Sequence, residues 1–281
     1  MKKNFTFNIK GRIWQIQSEQ PLVMGILNIT PDSFYAASRL SSIDEALEKA
    51  RLMLEEGADI LDIGGMSTRP NCAVITPEEE ALRIAPIVAA LRKEFPTAIL
   101  SIDTFRTLVA QTAADMGADI INDVTGGGEP NDKSLWAIAK KYEMPYILMH
   151  LKGNLYGMQD NPQYKNVTLE VTDYFQQKLN ELYDFGIKDI ILDLGFGFAK
   201  TIDHNYELMK NLGAFDLFDL PQLVAISRKS MIYKPLALTP EETLPATTAL
   251  HLYALQKGAN ILRVHDVKAA KQAISLHKLL Q

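Results

Sequence analysis

Residues 186–201 read GIKDIILDLGFGFAKT and hold one complete unit of the fold. Gly186 closes an amphipathic stretch in the manner of a helix C-cap. Ile190, Ile191 and Leu192 then form a short apolar run, the pattern of a buried parallel strand, and Asp193 leaves a carboxylate at its C-terminal tip. Gly195 and Gly197 allow a tight turn and the close approach of a flat ligand, while Phe196 and Phe198 add aromatic surface beside the acid. A carboxylate next to an aromatic face suits a planar, nitrogen-rich heterocycle with paired N–H donors. Taken alone, the loop reads equally well as a strand-to-helix turn capped by Asp193.

The unit recurs along the chain in two interleaved sets. Four strands follow a proline: LVMGILNIT after Pro21, TAILSIDT after Pro96, YILMH after Pro145 and QLVAISRKS after Pro221. Four follow a glycine that ends a helical pattern: ADILDIGG after Gly57, ADIINDVTGG after Gly117, IKDIILDLG after Gly186 and ANILRVHD after Gly258. Ala58, Asp59 and Ile60 return as Ala118, Asp119 and Ile120. The connections are long enough for crossover helices, so the sequence predicts an α/β fold, a closed (β/α)8 TIM barrel over residues 21–281. An open doubly wound sheet would carry a Gly-rich dinucleotide fingerprint at its first helix, and the sequence shows none. Upstream, Phe5, Phe7 and Ile9, a Lys10-Gly11 turn, and Ile13, Trp14 and Ile16 predict an N-terminal β-hairpin over residues 1–18, a lid on the barrel's bottom within one domain.

Composition narrows the class. With 281 residues, 47% hydrophobic and 22% charged, the chain can bury a large core. A net charge of -5 and a pI near 5.6 argue against a nucleic-acid surface or an anionic-membrane binder. No apolar run approaches membrane-spanning length, and Lys2 and Lys3 precede alternating residues rather than a signal-peptide core. A single cysteine, Cys72, points to a reducing, cytoplasmic setting.

In such a barrel, ligands bind at the C-terminal ends of the strands. Here those ends carry Asn28, Asp62, Asp103, Asn122, His150, Asp193, Ser227 with Lys229, and Arg263 with His265. All are polar. Turn chemistry explains some polar residues there, but not acid, amide, lysine and arginine at nearly every position.

The motifs holding these residues are MGILNITPDSF at 24–34, DIGGMSTRP at 62–70, SIDT at 101–104, INDVTGG at 121–127, LMH at 148–150, DLGFGFAKT at 193–201, SRKS at 227–230 and RVHD at 263–266. In that order they resemble the motif set of the dihydropteroate synthase family. That family condenses 6-hydroxymethyl-7,8-dihydropterin pyrophosphate with para-aminobenzoate to give dihydropteroate and pyrophosphate in folate synthesis, and it is the target of sulfonamides. The chain departs from the family's usual Glu at Met66, Gly at Asn71, Pro at Leu194, Gly at Ala199, frequent Gly at Ala225 and Ser-Asp-Gly-Gly at Tyr35 to Ser38. These departures bear on loop conformation and remove no group that the chemistry needs.

The residues then take roles. Asp193 can accept the paired donors of a pterin's amino-pyrimidinone edge, and Asn122 can complete that edge as donor and acceptor. The resemblance gives Lys229 the ring oxygen and neighbouring nitrogen, and a border on the aminobenzoate pocket. Asp103 would favour positive charge as the exocyclic carbon loses pyrophosphate; its alternative is to cap the helix starting near Arg106. Met149 and Phe198 would face the ring. The resemblance places Arg69, Arg263 and His265 on pyrophosphate, with Arg263 touching only the leaving group; Arg263 could instead pair with Asp266. Magnesium suits the remaining oxygen ligands, with Asn28 the first expected ligand and Asp62 the second. No His/Cys cluster suggests zinc. Phe34, Thr68, Arg69 and Pro70 are implied walls of the aminobenzoate pocket, whose outer end falls at Ser227 and Lys229, where the strand turns into a helix N-terminus that favours an anion. The resemblance also implies a homodimer through late helices. Competing readings are a pterin-binding barrel that passes a methyl group from methyltetrahydrofolate to a corrinoid protein, and a catalytically silent pterin-binding scaffold.

Overall fold

A computed structural model describes residues 3–29, 36–65, 75–127, 132–153 and 162–281. Two strands, β1 (Asn4–Ile9) and β2 (Arg12–Gln17), pair antiparallel, with Lys10 at φ 50° and Gly11 at φ 81° making the turn. Eight parallel strands follow: β3 (Leu22–Asn28), β4 (Ile60–Gly64), β5 (Ile99–Asp103), β6 (Ile120–Asp123), β7 (Tyr146–Met149), β8 (Ile190–Asp193), β9 (Gln222–Val224) and β10 (Ile261–Val264). They close in sequence order, β10 pairing with β3, into the expected barrel. The crossover helices are α1 (Ala36–Glu55), α2 (Pro77–Glu94), α3 (Thr107–Asp115), α4 (Ser134–Lys141), α5 (Val167–Phe185) and α6 (Ile202–Lys210), then a short α7 (Ser230–Tyr233) with α8 (Leu244–Gln256), and α9 (Val267–Leu279).

The punctuation behaves as its chemistry requires. Gly57, Gly117, Gly186 and Gly258, read as helix ends, all take left-handed backbone, with φ between 98° and 107°. The seventh strand is shorter than QLVAISRKS suggests: the ladder ends at Val224, and the chain enters a turn in which Arg228 sits at φ 58°.

Period-two alternation explains where the site lies. Ile60, Ile120, Ile147, Ile191, Leu223 and Ile261 share one buried cluster with Met24 and with Phe7 and Ile16 from the hairpin. The hairpin therefore plugs the barrel's lower end. Two residues further along the same strands, on the same face, stand Asp62, Asn122, Met149, Asp193 and Arg263. The barrel interior is thus apolar below and polar at the mouth. The intervening residues, among them Leu61, Ile63, Ile121, Leu148, Leu192 and Leu262, pack outward against the helices.

Candidate active site

Arg263 is the centre of the mouth. Its Nε donates to Asp62 Oδ2 at 2.6 Å and its terminal nitrogen to Asp103 Oδ2 at 2.5 Å. Asn122 Nδ2 donates to the same Asp62 oxygen at 3.1 Å. One guanidinium therefore ties together strands β4, β5 and β10, and the acid it holds orients the Asn122 amide on β6. Burial would lower the Arg263 pKa, but Asp62 and Asp103 outweigh it and hold the guanidinium charged. Burial pushes the Asp103 carboxyl up to about 7; Arg263 opposes the shift, while Asp62 and Glu80 add to it. Asp103 caps no helix: α3 starts after Arg106 without a side-chain cap. Nor does Arg263 pair with Asp266, whose carboxylate takes Arg228 at 2.9 Å instead.

Asp193, 4% exposed, points from β8 beside this cluster. Its Oδ1 accepts the Gly195 N–H at 2.8 Å, so the glycine turn fixes the carboxylate. Burial raises its pKa, with Lys229 and that N–H opposing. Lys229 Nζ donates to the Phe196 carbonyl at 2.6 Å and lies 4.7 Å from the Phe198 ring centre, a cation–π contact. Burial draws its ammonium down to about 8, Arg263 adding and Asp193 opposing. Met149 joins Val124, Leu151 and Ala199 in a small apolar cluster against which Phe105 and Phe198 pack, a flat surface beside the acids.

Ser227 Oγ lies 2.9 Å from His265 Nδ1, joining the ends of strands seven and eight of the barrel. Asn28 is exposed at the end of β3, in register with Gly64, which is itself in register with Asp103. Among the described residues no three His, Cys, Asp or Glu side chains group to hold a metal. The Asn28 amide oxygen is a hard donor of the kind that would suit a magnesium ion. Asp62 fits less well as a direct ligand. Its Oδ2 already takes two donors, and although its Oδ1 has no hydrogen-bond partner among the described residues, that oxygen is buried away from the open mouth.

A family model described as pterin binding enzyme matches residues 24–265. The dihydropteroate synthase of Haemophilus influenzae is 43% identical over 258 residues, 91% of this chain and 92% of that protein. The chain belongs to the dihydropteroate synthase family. Among solved members, the Yersinia pestis enzyme in a sulfonamide drug complex superposes with a TM-score of 0.88 at 37% identity, covering 98% of both chains. The Xanthomonas albilineans enzyme in complex with 7,8-dihydropteroate gives 0.83 at 30% identity, again over 98% of both.

The dihydropteroate synthase motifs thus converge where Asn28, Asp62, Asp103, Asn122, Met149, Asp193, Phe198, Ser227, Lys229, Arg263 and His265 ring the mouth. Phe34, Thr68, Arg69 and Pro70 lie outside the described residues. Sequence reading missed Glu80, 1% exposed at the start of α2. Its carboxylate accepts from Arg106 at 2.8 Å and from Thr104 Oγ1 at 3.3 Å, bracing the loop after Asp103. In sequence it stands among three consecutive glutamates at 78–80, with nothing to mark one as inward.

Proposed function

We propose that this chain condenses 6-hydroxymethyl-7,8-dihydropterin pyrophosphate with para-aminobenzoate, releasing 7,8-dihydropteroate and pyrophosphate, as in folate synthesis. One observation carries the reading: Asp193, Asn122, Asp103, Lys229 and Arg263 face one mouth of a barrel whose family does this chemistry. Asp193 and Asn122 take the donor-rich pterin edge, and Lys229 the ring oxygen side. Asp103 favours positive charge on the ring as the exocyclic C–O bond breaks, and Arg263 and His265, with Arg69, receive the pyrophosphate. The amine of aminobenzoate arrives neutral and attacks the same carbon, and the resulting ammonium gives up one proton to solvent or to the departed pyrophosphate; its carboxylate lies outward near Ser227. Positioning and charge stabilisation supply the catalysis, with no protein nucleophile.

Magnesium bound at Asn28 would neutralise the leaving pyrophosphate. The hard oxygen donor and its place beside the Asp103 strand support that reading. A homodimer through the late helices is in keeping with the exposed Leu244 of α8 and Leu276 and Leu279 of α9.

Pyrophosphate release, measured with both substrates and magnesium and with each omitted in turn, tests the function. Release that depends on aminobenzoate is expected. Pterin binding without turnover would indicate a silent scaffold, and methyl transfer from methyltetrahydrofolate to a corrinoid protein would indicate the other pterin-binding chemistry.

A further inference from the structure

Lys200 ends the glycine turn that carries Phe198, yet it stands outside the Arg263 cluster and outside the expected ligand set. The residue is 4% exposed. Its Nζ lies 2.9 Å from the Gly195 carbonyl oxygen, 3.1 Å from that of Phe198 and 2.9 Å from His150 Nδ1. These three shorter contacts match the three hydrogens of an ammonium when His150 is neutral and carries its proton on Nε2, with the His150 carbonyl a fourth, longer acceptor at 3.5 Å. Burial and the Lys200 charge hold the His150 imidazole well below its ordinary pKa, which preserves Nδ1 as an acceptor. The Tyr174 ring meets that imidazole edge-on, centroids 4.8 Å apart, and fixes its plane. Among the described residues Lys200 forms no ion pair; burial draws its ammonium down to about 7, with Asp193 opposing. A buried ammonium without a carboxylate partner destabilises the fold unless its hydrogen bonds are met, as they are here.

The turn needs such a tie. Gly195, Gly197 and Ala199 all take positive φ, at 67°, 80° and 47°, so their carbonyls cannot continue a regular ladder. They go to different partners. The Gly195 and Phe198 carbonyls accept from Lys200, that of Phe196 from Lys229, and that of Ala199 from the Tyr164 hydroxyl at 2.9 Å. A Cβ at Gly195 would run into the His150 carbonyl, so the turn lies directly on the end of β7. Two ammonium groups therefore share one turn: Lys229 in the mouth and Lys200 buried behind it.

We propose that Lys200 is a positioning residue for the pterin end of the site: it pins the 193–201 turn to the end of β7 and thereby sets both the Phe198 ring and the Phe196 carbonyl that steers Lys229. This role rests on the mouth being a pterin site. Lys200 itself contacts neither the aminobenzoate end nor the pyrophosphate end; it reaches the former only through Lys229, whereas it sets the pterin end through both Lys229 and Phe198, and that asymmetry makes it testable.

Lys200→Met keeps the apolar stem and removes every donor. Calorimetric titration of the full chain with 6-hydroxymethylpterin is expected to show binding about tenfold weaker than wild type, the scale of losing charge-assisted hydrogen bonds. KM for the pterin pyrophosphate should rise in parallel, while KM for aminobenzoate at saturating pterin pyrophosphate should stay within about twofold. Unchanged pterin affinity overturns the role, and so does an equal loss at both substrates, which marks a general strut. If Lys200→Met does not fold, the wild-type lysine ammonium resonances decide. The Lys200 signal, assigned by its proximity to His150 and Gly195, is expected to shift when 6-hydroxymethylpterin binds, and a signal unmoved at saturation overturns the proposal. Wild-type chain that binds no pterin in the same titration would instead remove the site reading on which the role depends.

Discussion

Ser227 Oγ accepts the His265 backbone N–H at 3.3 Å while lying 2.9 Å from the His265 ring nitrogen, so these two residues move as one unit. In the proposed site they serve different ligands, Ser227 the aminobenzoate carboxylate and His265 the pyrophosphate. A ligand that reorients the His265 ring reorients the serine hydroxyl as well. Aminobenzoate, or a sulfonamide mimic, should therefore bind weakly to the free protein and more tightly with pyrophosphate, magnesium and a pterin-site ligand present, and the coupling should be reciprocal. Ser227→Ala, His265→Asn and the double variant, titrated with labelled aminobenzoate, should show a coupling energy of about 0.5–2 kcal/mol. Additive effects would assign the coupling to other parts of the site.

Asp193→Ala should cost about 2–4 kcal/mol of pterin affinity, because the ligand's paired donors would be left unmet in a dry pocket. Calorimetry with a pterin analogue measures it. An affinity near wild type would leave Asp193 only the Gly195 N–H to serve.

Arg263 has a wider part than the pyrophosphate contact expected of it. Arg263→Ala would leave Asp62 and Asp103 facing one another without the guanidinium that bridges them, so it should lower stability by about 2–4 kcal/mol and weaken even a phosphate-free pterin by freeing Asn122. Urea unfolding and pterin calorimetry on the same variant check both. Loss confined to pyrophosphate binding would restrict Arg263 to the leaving group.

The pH dependence follows from three buried groups. Asp103 acts as a carboxylate and Lys229 and Lys200 as ammonium groups, so kcat/KM for the pterin pyrophosphate should fall on the acid side as Asp103 protonates near about 7 and on the alkaline side as Lys200, at about 7, and Lys229, at about 8, lose their protons. Lys229→Arg keeps its charge at all accessible pH and should lose only the Lys229 part of the alkaline limb. In stability the sign for Asp103 is opposite to that of an ordinary salt-bridged acid. A carboxyl raised from 3.8 to about 7 favours the folded chain below 3.8, and that contribution is lost as pH rises through 7.

Ala199 occupies φ 47° where the family usually has glycine. Left-handed backbone is unfavourable for alanine, so Ala199→Gly should raise stability by about 0.5–1 kcal/mol even though glycine adds disorder to the unfolded chain. Urea unfolding measures this. A loss of stability would show that the alanine methyl, buried against Met149 and Val124, outweighs the backbone strain.

The barrel was legible because its signals are local. Glycine at a helix end, an isoleucine-rich strand and a polar strand tip each act within a dozen residues, and eight repeats reinforce one another. The same alternation that made Ile60 and Ile261 lower core put Asp62 and Arg263 in the mouth. Their pairing spans 201 residues, and sequence offered Asp266 as an equally good partner for Arg263. Lys200 was harder still: after four residues of turn, nothing in FAKT distinguishes a lysine that points to solvent from one that turns back on its own carbonyls.

The hairpin plug has a consequence for how this chain is made. Phe7 and Ile16 are synthesised before the barrel strands, but the layer they complete includes Leu223 and Ile261, and Lys3 reaches the Asp216 carbonyl and Asp219 while Asn8 reaches Asp189. A segment made ahead of the whole barrel is therefore among the last to find its place. Until the closing strand arrives, the nascent chain carries a ring of isoleucines open at the bottom, the interval in which association with other unfinished chains competes with folding.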